Sequence, residues 1–139
     1  MRHFFHGHTF TGNPLACATA LTNLEMYKKN KLISKIQKNA KTFESRISEI
    51  YELSLVGDVR HKGMLMGIEL VSDKKKKTPI KPEKLIHKKI FDEAKKHKIY
   101  LRTLGNIIML VPPLAISENE LEFLLDGTID TIKKVTKVI

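Results

Sequence analysis

The sequence has 139 residues, of which 42% are hydrophobic, and it is long enough to form one domain with a buried core. It contains no apolar run near the roughly 20 residues that span a bilayer and no apolar signal segment at its start, so we expect a cytoplasmic protein without a membrane partner. Its formal charge of +10 comes from 21 lysines and four arginines. Because nucleic-acid recognition relies on arginine and on aromatic residues, which make up 6%, we expect no nucleic-acid partner.

The first predicted segment is a loop over residues 1–13 that is rich in glycine, threonine, histidine and phenylalanine. Glycine permits close approach of the backbone to a ligand, and threonine offers a hydroxyl. The helix predicted to follow at Pro14 offers free N–H groups that suit an anion. The segment therefore predicts a ligand-facing loop, with a phosphate as the natural ligand.

Three histidines in this loop, His3, His6 and His8, raise the alternative of a metal site or a general base. No carboxylate or cysteine accompanies them, and we expect alternate histidines on an extended segment to point to opposite faces. The sequence therefore predicts no metal site.

Two helices are predicted over residues 14–52. Asn13 is a suitable N-cap and Pro14 a suitable first residue for a helix that ends near Lys29, and Asn30 marks the break before the second helix. The first helix has an apolar stripe, on which Cys17 is expected to be a small buried residue. The stripe consists of Cys17, Ala20, Leu21, Leu24 and Tyr27. In the second helix one face is apolar at Ile36, Ala40, Phe43, Ile47 and Ile50.

Short apolar segments bounded by glycine predict strands at 56–60 and 64–71. A lysine-rich connection over 72–81 follows, and we interpret residues 74–77 as a solvated loop. Pro82 is expected to begin a third helix, whose inward residues are Leu85, Ile86, Ile90 and Ala94.

Two more strands are predicted at 99–103 and 107–111, joined by a tight turn at residues 104–106. Ser117 and Glu120 form a capping box that begins the last helix, with a continuous apolar face from Leu121 to Val135. The element order ααββαββα indicates an α+β domain within the α/β class, with helices packed on a small, mostly antiparallel sheet. We divide the chain into a loop (1–13), connecting and packing helices (14–52) and a small domain (53–139).

The sequence contains side chains suited to binding a ligand, but no recognisable group of catalytic residues. No serine lies in a nucleophile elbow, and no pair of carboxylates lies in a glycine-framed site. Arg102, at the end of a predicted strand before a glycine turn, could hold a carboxylate through two hydrogen bonds, or it could form a surface ion pair. For Arg60, whose neighbours Gly57, Asp58 and Gly63 suggest that it supports a turn, we favour a structural role.

Three motifs in order resemble the C-terminal part of a class III pyridoxal-phosphate (PLP) aminotransferase. They are residues 6–17, residues 57–70 from Gly-Asp-Val-Arg to Gly-Ile-Glu-Leu, and residues 101–113 from Leu-Arg to Val-Pro-Pro. The resemblance covers essentially the whole chain but only the last third or so of such an enzyme. Within the class it is strongest to the members that act in biotin synthesis, which transfer an amino group from S-adenosylmethionine to a keto acid.

The resemblance implies roles for individual residues. Thr9 would donate its hydroxyl to the phosphate of PLP held by the other subunit of a homodimer, and Gly7 and His8 would line the same wall. Arg102 would bind the carboxylate of the keto-acid substrate. Thr103 departs from the family pattern, in which proline is commoner, and we expect this to loosen the backbone at Arg102.

The resemblance also implies an absence. No lysine of this chain occupies the family's Schiff-base motif, so the chain alone is expected to be inactive without an N-terminal partner that holds the large domain. It could be one product of a split gene or the remnant of a disrupted one. Two alternatives remain open: a class III fragment acting on another amino acid or an ω-amino acid, and a basic module that binds nucleic acid or a membrane surface.

Overall fold

The computed structural model describes residues 3–138 as two compact units, 3–33 and 34–138. Residues 1 and 2 of the predicted loop and residue 139 of the predicted small domain lie outside the described residues. The helices are α1 (Pro14–Lys29), α2 (Leu32–Glu52), α3 (Ile86–Lys96) and α4 (Glu118–Val135). The strands are β1 (Val56–Lys62), β2 (Leu65–Asp73), β3 (Thr78–Pro79), β4 (Arg102–Leu104) and β5 (Ile107–Leu110).

The first unit consists of the loop and α1. The helix has the predicted bounds, because Asn13 Oδ1 accepts a hydrogen bond from Ala16 N–H at 3.0 Å and Pro14 holds the first helical position. No residue of α1 is buried. The prediction that Cys17 is buried is therefore wrong: the cysteine is exposed, since this unit contains no second helix or sheet on which the stripe could pack.

The second unit is built on an antiparallel sheet with strand order β1-β2-β5-β4, and β3 pairs with the end of β2. β4 and β5 form the predicted hairpin around Gly105 and Asn106. Gly105 has φ +60°, a left-handed conformation that the first central residue of such a tight turn needs and that glycine adopts without strain. The prediction of a mostly antiparallel sheet is confirmed.

The core of this unit lies between the sheet and the three helices α2, α3 and α4. Alternate residues of the central strands point into it, as expected for a sheet with one buried face. From the strands the core includes Met66, Ile68, Leu70, Ile108 and Leu110. From the helices it includes Phe43, Ile50, Ile90, Ala94, Leu121, Leu125, Ile129 and Ile132.

The third helix begins later than predicted. Residues Pro82–Lys84 form a 3₁₀ turn, closed by a 3.0 Å hydrogen bond from Leu85 N–H to Pro82 O, and α3 starts only at Ile86. Leu85 has φ +48° and is 49% exposed, so its predicted place in the core is wrong. The connection over 72–81 likewise contains the short strand β3, which sequence periodicity could not detect over two residues.

The end of α3 fixes the start of the segment that leads to β4. Lys98 N–H donates to Lys95 O at 3.0 Å and Ile99 N–H donates to Ala94 O at 3.2 Å, which is the pattern of a Schellman motif with Lys98 in the left-handed region at φ +59°. Ile99 is buried against α4 at Gly127, where an added Cβ would lie 2.9 Å from the Ile99 side chain. This close approach holds residues 98–102 in place.

Candidate functional site

Thr9 lies at the corner of a turn in the exposed loop. The turn is closed by hydrogen bonds from Thr11 N–H to His8 O at 3.0 Å and from His8 N–H to Thr11 Oγ1 at 2.9 Å. A second turn follows, closed from Asn13 N–H to Phe10 O at 3.1 Å. The two turns fix the backbone around Thr9 and use the hydroxyl of Thr11 internally.

The hydroxyl of Thr9 has no hydrogen-bond partner within residues 3–138 and is exposed. Nothing lies within 4 Å of the position that a Cβ on Gly7 would occupy, so the backbone there is open to close approach. A donor hydroxyl next to accessible backbone fits an anionic group such as the phosphate of a cofactor.

The start of α1 offers less to an anion than the sequence predicts. Pro14 has no N–H group, Ala16 N–H donates to Asn13 Oδ1, and Cys17 N–H donates to Asn13 O at 3.0 Å. Asn13 therefore satisfies the N–H group of Ala16, and Cys17 N–H makes the first bond of the helix. Of the free N–H groups that the sequence predicts at this helix start, the one at Leu15 remains without a hydrogen bond among residues 3–138.

The histidines of the loop are arranged differently from the prediction. The rings of His6 and His8 meet edge to face with centroids 4.7 Å apart. Residues two apart lie on the same side of an extended chain, so the expectation that these histidines point to opposite faces is wrong. Among residues 3–138, no group of three or more His, Cys, Asp or Glu side chains is placed to hold a metal ion.

Arg102 is the first residue of β4, in register with Met109 of β5. Its neighbour Leu101 is buried, and Arg102 itself is on the exposed side of the strand. Within the described part of the chain its guanidinium makes no hydrogen bond or ion pair. The alternative of a surface ion pair is therefore not realised among these residues.

Arg102 lies at a cavity of about 590 Å³, here called the Arg102 cavity. Its apolar wall consists of Ile99, Met109, Leu110, Val111, Pro112, Pro113, Ile116, Phe123 and Leu124. Lys98 and Tyr100 complete the lining, and no carboxylate is among the lining residues. A cation beside an apolar wall fits a carboxylate on an aliphatic chain.

Lys98 and Tyr100 are lining residues that the sequence analysis missed. The sequence contains a signal for them, since polar and apolar residues alternate from Lys98 to Arg102. In the structure Lys98, Tyr100 and Arg102 are exposed, and the two residues between them, Ile99 and Leu101, are buried. Such alternation places every second side chain on one face.

Arg60 has the structural role that the sequence favours, although it lies within β1 and not in a turn. Its Nε is 3.2 Å from Asp58 Oδ2, and its Nη2 is 3.4 Å from Glu69 Oε2 on the neighbouring strand. The pair with Glu69 joins β1 to β2, and the pair with Asp58 lies within β1. Arg60 is not among the residues that line the Arg102 cavity.

Arg46 was not singled out in the sequence, although arginine is rare there. From α2 its guanidinium contacts Glu49 at 2.8 Å, Glu122 of α4 at 2.6 Å and Asp126 of α4 at 2.5 Å. Burial acts to lower the pKa of Arg46, but the hydrogen bond to Asp126 and the three nearby carboxylates outweigh it and raise the pKa above its ordinary value. Arg46 joins two helices and plays no part in the candidate site.

The lysine-rich connection is partly engaged in the structure. Lys74 Nζ donates to Tyr51 O and lies over the Tyr51 ring, 4.4 Å from its centroid, at the end of α2. The other three lysines of residues 74–77 are exposed, as the interpretation of a solvated loop requires. Of the helices within residues 3–138, none has the length and apolar character to cross a membrane.

The model of the family described as aminotransferase class-III matches residues 1–132. The chain belongs to the class-III aminotransferase family. A curated relative from Geobacter sulfurreducens, named adenosylmethionine-8-amino-7-oxononanoate aminotransferase, is 43% identical over 136 residues. The aligned region is 98% of this chain and 30% of that protein.

Solved structures of aminotransferases have the same fold. The structure of the adenosylmethionine-8-amino-7-oxononanoate aminotransferase of Methanocaldococcus jannaschii matches 95% of this chain and 30% of its own, with a TM-score of 0.85 and 41% identity. A PLP-bound aminotransferase mutant from Vibrio fluvialis matches 99% of this chain and 30% of its own, with a TM-score of 0.87 and 27% identity. The predicted fold class, a C-terminal domain of a fold-type I aminotransferase, is confirmed, and the chain spans about 30% of the length of these relatives.

Proposed function

We propose that this chain is the C-terminal part of a PLP-dependent transaminase that transfers an amino group from S-adenosylmethionine to 8-amino-7-oxononanoate in biotin synthesis. The proposal is supported by family membership and by the name of relatives at 41–43% identity. The observation that carries it is Arg102, an exposed guanidinium without a partner in residues 3–138 at the edge of an apolar cavity.

The cofactor is assigned to the loop around Thr9. The Thr9 hydroxyl donates a hydrogen bond to the phosphate of PLP, and Gly7 and His8 line the same wall, in a dimer in which the cofactor belongs to the other subunit. The two turns that close on residues 8–13 hold the Thr9 backbone in place for this contact. When bound, PLP would supply an electron sink for the bond changes at the substrate carbon that carries the amino or keto group.

Arg102 binds and orients the keto acid. Its planar guanidinium takes the carboxylate through two parallel N–H donors, while the apolar wall accommodates the aliphatic chain and excludes water from it. The lysine that forms the Schiff base belongs to a large domain outside this chain, as does the partner of the pyridine nitrogen. This chain therefore contributes phosphate and carboxylate binding, and the large domain contributes the reacting amine.

A chimera tests this assignment. In it, this chain replaces the matched 136 residues of the Geobacter sulfurreducens protein. We expect the chimera to transfer an amino group from S-adenosylmethionine to 8-amino-7-oxononanoate. Arg102→Met should raise KM for the keto acid about 30-fold or more, since losing a charge-assisted pair costs about 2 kcal/mol or more.

Arg60→Met is the matched control, because Arg60 pairs with Asp58 and Glu69 and does not line the cavity. Its KM should stay within about twofold of the unmodified chimera. An Arg102→Met chimera with an unchanged KM would remove Arg102 from the substrate site. If the chimera is active only with other amino donors, the assignment to the family stands and the proposed amino donor, S-adenosylmethionine, is wrong.

A further inference from the structure

We propose that Asn39 of α2 is a positioning residue of the Arg102 cavity. Its buried amide holds residues 111–116, here called the wall segment, which form part of the apolar wall of that cavity. Asn39 is not among the lining residues, so it acts on the keto acid only through the wall segment. The inference rests on the proposed function, because it takes the Arg102 cavity as the binding site of the keto acid.

The wall segment connects β5 to α4 and has few groups with which to fix itself. It contributes Val111, Pro112, Pro113 and Ile116 to the lining of the cavity. The two prolines have no N–H group to donate, and Ile116 N–H donates to Pro113 O at 3.0 Å within the segment itself. The carbonyl groups of the segment are therefore the points at which other elements can hold it.

Two side chains of α2 bind neighbouring carbonyl groups at the end of the wall segment. Asn39 Nδ2 donates to Ile116 O at 3.1 Å, and Lys35 Nζ donates to Ala115 O at 2.9 Å. Residues four apart lie on the same side of a helix, which is why both reach the segment. Asn39 is 1% exposed, whereas the contact of Lys35 is at the surface. The hydrogen bond of Asn39 is therefore the better shielded from water and the stronger of the two.

The amide of Asn39 is used differently from the other buried polar side chains of the described residues. Thr128 and Thr131 donate to carbonyl groups of their own helix, each at 2.7 Å, and so hold no other element. Asn39 donates to a residue 77 positions away in the chain. Because a buried amide that loses its hydrogen bond is costly, the packing of α2 keeps Ile116 O within reach of Asn39.

Removing the Asn39 amide should weaken binding of the keto acid and spare the chemical step. In the Geobacter sulfurreducens chimera, Asn39→Leu keeps nearly the same shape and removes the donor. We expect KM for 8-amino-7-oxononanoate to rise about threefold to tenfold, the range for one neutral hydrogen bond. The kcat should stay within about twofold, because the reacting lysine belongs to the large domain. Asn39→Ala removes the same donor without adding volume and should give the same change.

Amide hydrogen exchange of the 139-residue chain, measured by NMR, follows the wall segment without any enzyme activity. Asn39→Leu should speed exchange at Ile116 N–H about threefold to tenfold, because the turn that it closes loses its anchor. The internal control is Leu85 N–H, which closes a similar turn on Pro82 O at 3.0 Å and does not belong to the wall segment. Exchange at Leu85 should change less than about twofold.

Arg46→Met is the matched control variant, because Arg46 also joins α2 to α4 but its ionic partners lie within those helices. It should lower stability and leave both KM and the exchange at Ile116 within about twofold. An equal rise of KM in Arg46→Met and Asn39→Leu would trace the effect to general loss of stability and overturn the role of Asn39. Unfolding of both Asn39 variants would overturn it as well.

Comparison with Arg102→Met separates this inference from the proposed function. If Arg102→Met raises KM while the folded Asn39 variants leave it unchanged, the carboxylate site stands and the positioning role of Asn39 is wrong. If Arg102→Met leaves KM unchanged, the proposed carboxylate site fails and this inference fails with it.

Discussion

Arg46 shows how a single side chain can join two helices of the small unit. Its guanidinium is one-fifth exposed and contacts one carboxylate of its own helix and two of α4. Three carboxylates around one cation repel each other when the cation is absent. The arginine therefore stabilises the packing of α2 on α4 both by attraction and by relieving this repulsion.

Replacing Arg46 with methionine is expected to lower the free energy of unfolding by about 1 to 3 kcal/mol, because three neighbouring carboxylates lose the largely buried cation that they share. Urea denaturation followed by circular dichroism measures this. Lys133→Met is the control, since Lys133 has one exposed partner, Asp130, at 3.9 Å and should cost less than about 0.5 kcal/mol. Equal effects of the two substitutions would show that the cluster does not stabilise the fold.

The sequence predicts which residues are unusual better than it predicts their partners. Arginine is rare among the basic residues, which directed attention to Arg60 and Arg102. The same argument applied to Arg46, but its partners Glu122 and Asp126 are more than 70 residues away, and only the packing of two helices brings them together. The spacing of neighbouring residues in the sequence does not indicate such a contact.

The beginning of α4 shows an element whose boundary is determined by local chemistry. Glu120 N–H donates to Ser117 Oγ at 3.3 Å, and Ser117 N–H donates to Glu120 Oε2 at 2.9 Å. The hydrogen bonds from the Ser117 hydroxyl and from its backbone N–H lower the pKa of Glu120. Both partners lie within four residues, which is why the sequence predicted this capping box correctly.

Ser117→Ala is expected to lower stability by about 1 kcal/mol through loss of the N-cap. The direction of the pKa shift of Glu120 determines how its contribution to the free energy of unfolding depends on pH. Because the pKa of Glu120 is lower in the folded state than its ordinary value of 4.5, its contribution is complete above that value and is lost as the pH falls through the lowered pKa.

We would compare the unmodified chain with Glu120→Gln by chemical denaturation between about pH 3 and about pH 7. Because glutamine has no ionisable side chain, the difference in stability between the two chains reports the contribution of the Glu120 carboxylate. The stability difference between the two chains should shrink as the pH falls below about 4.5. A difference that stays constant with pH would contradict the stabilisation of the Glu120 carboxylate by Ser117.

Elements with strong periodicity or strong caps were predicted well, and the connections between them were not. The bounds of α1 and the hairpin around Gly105 follow from local residues. The start of α3 was missed because Pro82 also suits a 3₁₀ turn, and Leu85 enters the left-handed region after it. The two-residue strand β3 exists only through its pairing with β2, which no local pattern encodes.

At the scale of the whole molecule, the two units differ in how they bury apolar residues. The unit over residues 34–138 has a continuous core between sheet and helices. In the other unit Leu21 and Leu24 of α1 are 63% and 59% exposed. The sequence predicts an apolar stripe on α1, and within this unit the residues of that stripe are not buried.

The central claim is that this chain holds binding groups for a cofactor phosphate and a substrate carboxylate, and that the reacting lysine is supplied from outside it. The most direct measurement is the near-visible absorption of PLP bound through a lysine, recorded for the isolated chain and for the Geobacter sulfurreducens chimera after removal of free cofactor. We predict the band in the chimera, its weakening in the chimera with Thr9→Ala, and no band in the isolated chain. A band of equal strength in the isolated chain, or a folded chimera without one, would contradict the account.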